Sequence, residues 1–127
     1  VAPDTTRLGK FGELSVFVND LEVEGAFWEK CGYAVLGQKY TDPMPWGIWN
    51  DGMFLIGIHQ YGMTEPFSIT HFDPNMKDIN QALVDEGFDV QAFMENPDDD
   101  TLTHATLMTP YGLKYYLFTG DISAANP

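Results

Sequence analysis

Basic residues are scarce in this sequence. Six Lys and Arg stand against 19 Asp and Glu, a formal net charge of −13 at pH 7. Phosphate-backbone binding needs clustered Lys and Arg, so a nucleic-acid partner is not expected. An anionic membrane surface would repel the chain as well. A cationic small molecule or a basic partner would be drawn in, although acidity also serves plain solubility. Cysteine is scarcer still. Cys31 alone excludes an internal disulfide and a thiolate zinc centre, and makes the reducing cytoplasm the expected compartment. Long apolar runs are lacking: the longest, Met53 to Ile58, is strand-sized, against the ~18 residues of a membrane span. Val1–Lys10 has no apolar stretch after its charges, so no signal peptide is expected, and the missing initiator Met points to processing or trimming. Glycine-rich phosphate loops, nucleophile elbows and paired catalytic carboxylates are also absent.

What is present is apolar and aromatic. Hydrophobic residues make up 44% of the 127, and nine Phe, six Tyr and three Trp make 14% aromatic. That is enough to build one real core. Residues 11–20 alternate in period two, with Leu14, Val16 and Val18 on one face and Glu13, Ser15 and Phe17 on the other. Asp20 sits at an N-cap position before a helix over Leu21 to Lys30, whose apolar stripe reads as Leu21, Val23, Phe27 and Cys31, with Gly32 as its stop. Strands follow over Tyr33 to Tyr40, Trp46 to Trp49 and Met53 to Gln60, with a loop at Asp42–Pro45, a tight turn at Asn50–Gly52 and a linker over Gly62 to Pro66.

The order then repeats. Phe67 to Asp73 reads as a strand, Asn75 as an N-cap, and Met76 to Glu86 as a helix with Ile79, Leu83 and Ala82 inward. Gly87 stops it. Phe88 to Met94 is a strand, Asn96 to Thr101 a solvated loop, and His104–Thr109 with Leu113–Thr119 a hairpin, before a tail expected to fray from Gly120. Adding 55 to the first half maps Asp20 onto Asn75, Leu21 onto Met76, Gly32 onto Gly87, Tyr33 onto Phe88 and Val35 onto Val90. Each half reads strand–helix–strand–strand–strand, an internal repeat.

Two such modules, with Phe27–Trp28–Glu29–Lys30–Cys31–Gly32–Tyr33 after the first strand and the turn Thr109–Pro110–Tyr111–Gly112 before the last, resemble the glyoxalase, bleomycin-resistance and extradiol dioxygenase (vicinal oxygen chelate) superfamily. The resemblance implies an α+β fold of two βαβββ modules, about 11–60 and 67–119, within a single domain over 1–127. It implies curved mixed sheets forming a cleft, helices on the outer face, and a homodimer. Metal-dependent members carry His, Gln or Glu at four strand positions, which fall here on Glu13, Gly57, Ser68 and Tyr116. A divalent site of imidazole and carboxylate needs about three ligands, and Glu13 alone qualifies, so neither metal nor other cofactor is expected.

His59, His71 and His104 have no partners at metal-ligand spacing and read as isolated side chains with local hydrogen bonds. By parity His71 faces the helix and His59 the cleft rim; a displaced His59–His104–Glu13 site is the alternative. Glu13 has three readings: a general base with Tyr116 as its acid, the holder of a ligand cation, or an ion pair with Lys114. Phe17, Trp46, Trp49, Phe72, Tyr116 and Phe118 could line a concave surface and stack a planar or cationic ligand, with His59, Ser68 and Lys114 beside them. A dimer interface or core would use the same rings. The leading expectation is a metal-free protein binding a small planar or cationic molecule in an acidic aromatic cleft. The rival is a glyoxalase-like lyase, isomerase or dioxygenase with a displaced metal or with Glu13 as base.

Overall fold

The computed structural model describes residues 2–4, 6–39, 45–60, 63, 65–96 and 99–120, with the side chains of all but 39, 94–96 and 99–103. The architecture is α+β. The first module runs β1 (Lys10–Phe17), α1 (Leu21–Lys30), β2 (Ala34–Lys39), β3 (Trp46–Asn50) and β4 (Leu55–His59). The second runs β5 (Phe67–Asp73), α2 (Met76–Asp85), β6 (Asp89–Asn96), β7 (Asp99–Met108) and β8 (Lys114–Thr119). The chain divides into two compact units, Glu13–Ser68 and Val1–Gly12 with Ile69–Pro127, so it passes from one to the other inside β1 and again inside β5.

Within the first unit the strand order is β2-β3-β4-β1, and within the second it is β6-β7-β8-β5. In each, the first strand of the module pairs parallel with the last and the remaining pairs are antiparallel. The offset of 55 survives to the atom. Tyr33 N–H bonds the Trp28 carbonyl and Gly32 N–H that of Glu29; Phe88 N–H bonds Leu83 and Gly87 N–H bonds Val84. Both helices therefore end in a Schellman motif, whose left-handed residue is a glycine at φ 96° in one and 87° in the other.

Each helix covers one face of its sheet. Leu21, Trp49, Ile56 and Ile58 form the buried core of the first unit, and Met76, Leu83, Ala105, Leu107 and Leu117 that of the second. The inward stripe of α1 differs from the sequence expectation. Leu21 and Gly25 are buried and Trp28 packs on the core, whereas Val23, Phe27 and Cys31 are exposed. Spacing of four and three keeps residues 21, 25 and 28 on one side of the helix, and Gly25 is there because the Trp49 indole occupies the space of its missing side chain. Asp20 caps α1 as expected, accepting from Glu22 and Val23 N–H. Asn75 makes no side-chain cap; Asp73 Oδ1 instead accepts from the Asn75 N–H. Ala82 points outward, since 76, 80 and 83 already form the inner face. Asp99–Thr101 belongs to β7 rather than to a loop, because β6 and β7 remain paired as far as Asn96 and Asp99. The loop at Asp42–Pro45 lies outside the described residues except for Pro45, as do Gly62 and Thr64 of the linker, Pro97 and Asp98, and the tail beyond Gly120.

Asn80 is a misfit at the α2 interface. It is buried, and neither end of its amide has a hydrogen-bond partner among the described residues. An unpaired buried amide costs about 1–3 kcal/mol. Asn80→Leu, similar in branching and apolar, is therefore expected to raise unfolding free energy by about 1–3 kcal/mol, read from urea denaturation. An unchanged or lower midpoint would show that the amide is satisfied in solution.

Candidate functional site

The face of each sheet away from its helix carries the polar and aromatic candidates, and strand register fixes which of them meet. In the first unit Ser15 lies opposite Gly57 and Phe17 opposite His59. On the other side of β4, Gly57 faces Ile48 and His59 faces Trp46. Directly opposite residues in a sheet share a face. His59 therefore stands in a row between Phe17 and Trp46, with Ser15, Gly57 and Ile48 in the row beneath it.

Glu13 is the polar centre of this face. It is only 4% exposed. Its Oε2 accepts a hydrogen bond from Ser15 Oγ at 3.0 Å and lies 2.8 Å from His59 Nε2. The His59 side chain remains 24% exposed. The carboxylate can lie flat on the sheet because residue 57 has no side chain: a β-carbon there would overlap Glu13 Oε2 and Cδ. An acid buried this deeply is tolerated only when it is hydrogen-bonded or paired, and Ser15 with His59 supplies that.

The second module presents the same positions with other chemistry. Thr70 lies opposite Tyr116 and Phe72 opposite Phe118. Because Ala105 pairs with Leu117, Phe118 faces His104 across β7 and β8. The row Phe72–Phe118–His104 thus repeats the row Phe17–His59–Trp46. His104 stacks on Phe118 with centroids 4.1 Å apart, and Phe72 and Tyr116 meet Phe118 edge-on. Ser68 and Tyr116 are buried, and Lys114 shares the parity of Tyr116 on β8. Where the first module holds an acid and an imidazole, the second holds a hydroxyl and packed rings.

Two expectations need correction. Trp49 does not share the face of Trp46. The two differ in parity, and Trp49 is 2% exposed beneath α1, in contact with the helix at Gly25. His59 is not an isolated histidine, since Glu13 binds it across 46 residues of sequence. His104 stacks in the ring cluster of the second unit, and His71 sits beside Leu117 on the helix-covered face. Burial holds the His71 imidazole below the usual histidine range. Sequence reasoning overlooked Ser15, although its parity with Glu13 was available.

The sequence matches no family model and no curated protein. Solved structures do match. A hypothetical protein of Bacillus halodurans C-125 has a TM-score of 0.65 at 12% identity, over 88% of this chain and 94% of that one. Methylmalonyl-CoA epimerase of Mycobacterium tuberculosis has 0.61 at 10%, over 92% and 91%. A superfamily member of Vibrio splendidus 12B01 has 0.54 at 8%, over 85% and 97%. The fold is that of the glyoxalase/bleomycin resistance protein/dioxygenase superfamily.

Metal-dependent members of the glyoxalase superfamily set the donor test for this chain. Glu13 offers a carboxylate already engaged by Ser15 and His59, Gly57 no side chain, Ser68 a neutral hydroxyl and Tyr116 a phenol. Among the described residues no three His, Cys, Asp or Glu gather. These donors do not fit the superfamily's divalent ion.

Proposed function

We propose that this protein of the glyoxalase fold binds a small planar or cationic molecule without a metal. The observation that carries the reading is Glu13, a buried carboxylate held by Ser15 and His59, with the partly exposed imidazole flanked by Phe17 and Trp46. Aromatic faces supply stacking area for a planar ligand and a negative quadrupole for a cation. The net charge of −13 raises the local concentration of cations. Phe72, Tyr116, Phe118, Ser68 and Lys114 are proposed as ligand contacts of the second module in its own right. Trp49 is not, because α1 covers it. The same reading has the protein working as a cytoplasmic homodimer with no membrane or nucleic-acid partner. Among the described residues no helix is long and apolar enough to cross a membrane.

Glu13→Gln keeps the size of the side chain and removes its charge. The Glu13 charge reaches a ligand through His59, whose Nε2 the carboxylate holds, and a charge-assisted hydrogen bond of that kind is worth about 1.5–3 kcal/mol. Binding of the best cationic aromatic hit from a thermal-shift screen should therefore weaken roughly 10- to 150-fold by titration calorimetry. The loss should shrink at high salt. Unchanged affinity would remove the cation-binding role from Glu13.

A further inference from the structure

We propose that His59 is a general base for a planar carbon acid and that Glu13 is the positioning residue that aims it. The inference rests on the binding reading above and adds an activity to the same face. Only one nitrogen of His59 meets Glu13: Nε2, at 2.8 Å from Oε2. A carboxylate in that place accepts a hydrogen bond from Nε2–H, which selects the tautomer with a lone pair on Nδ1. With Nε2 committed, Nδ1 is the ring nitrogen with no partner among the described residues, and the side chain as a whole is 24% exposed. The carboxylate is itself held, by Ser15 at 3.0 Å and by the seat that Gly57 leaves open. Phe17 and Trp46 stand directly opposite His59 on the neighbouring strands, so a flat molecule lying on either ring would bring an edge to the imidazole.

The chemistry that follows is proton transfer from carbon. Nδ1 takes a proton from a C–H bond, the bonding pair stays with the substrate, and the imidazolium is stabilised by the buried carboxylate on its far side. The proton then returns from Nδ1 to the same or another atom, or a leaving group departs with the electron pair. No oxidant, reductant or metal enters. The substrate class is a planar, conjugated molecule with an acidic C–H, neutral or cationic.

A base elimination on a neutral probe tests this without knowledge of the natural substrate. In 5-nitrobenzisoxazole, removal of the ring C–H proton forms a nitrile as the N–O bond breaks, and the released phenolate is followed by its absorbance. The wild-type chain should turn the probe over faster than free imidazole at equal concentration. His59→Gln should lower kcat by about 10²–10⁴. Glu13→Gln should lower kcat at least tenfold and leave KM within about twofold, a split that a general loss of structure would not produce. In His59→Ala, added imidazole should restore part of the turnover, which keeps the test usable if the Gln variant folds poorly. Turnover retained within twofold in His59→Gln, or no acceleration by the wild type, overturns the proposal. Binding of cationic hits is measured separately, so loss of the base role leaves the binding reading to stand or fall on its own titration.

Discussion

Gly57→Ala is expected to cost about 3–5 kcal/mol of stability, the magnitude for breaking a buried charged pair. The new methyl would occupy the place of the Glu13 carboxylate. Glu13 would then lose both Ser15 and His59 while its backbone remains in the interior of β1. A double-mutant cycle separates this cause from the general effect of adding a β-carbon to a strand. In a Glu13→Ala background the clash partner is gone, so Gly57→Ala should cost less than about 1 kcal/mol, a coupling well outside ordinary additivity. Urea unfolding of the four proteins reads the result. Additive costs would show that the carboxylate does not use that seat.

Trp49→Ala is expected to be the most damaging of the tryptophan replacements, at about 3–5 kcal/mol. Trp49 fills the layer between sheet and helix, pressed between Gly25 of α1 and Gly47 of its own strand. Truncation leaves a large cavity and no side chain on either glycine to fill it. Total stability of an ordinary domain is about 5–15 kcal/mol, so the variant should be close to unfolding in mild denaturant. Trp46→Ala, three residues earlier and on the opposite face, should cost much less stability and weaken ligand affinity instead. Thermal melts together with ligand titration of both variants check the contrast. Equal stability losses would contradict the assignment of faces.

Much of this was legible in the sequence, and the exceptions share a cause. The repeat at offset 55 was visible because caps, stop glycines and strand openers are local signals, and the structure repeats them down to matching carbonyl bonds. The topology followed from it. The inner face of α1 departs from the rule that apolar positions are the buried ones. There the buried position is Gly25, chosen for what it lacks, while Val23 and Phe27 are exposed. Parity alone put Glu13 on the strand face opposite Leu14, Val16 and Val18, the face away from α1. Its partner was not legible, because the parallel register between β1 and β4 brings His59 to it, and no local pattern encodes a register between strands separated by a helix and two other strands. Trp49 was misplaced by grouping aromatics by type when the parity of neighbouring residues already separated it from Trp46.

The matched helix ends have a consequence for how the two halves have diverged. On the covered side, each copy keeps a ten-residue helix, the same glycine stop and the same three inward positions, 21, 25 and 28 against 76, 80 and 83. On the open side, Glu13 has become Ser68, Gly57 has become Tyr116 and His59 has become Phe118 at equivalent register. The covered face repeats its geometry while its side chains differ, Leu21, Gly25 and Trp28 against Met76, Asn80 and Leu83, and the open face repeats its register while its chemistry differs. What the two halves share is therefore a set of backbone positions, and what separates them is the chemistry set on those positions.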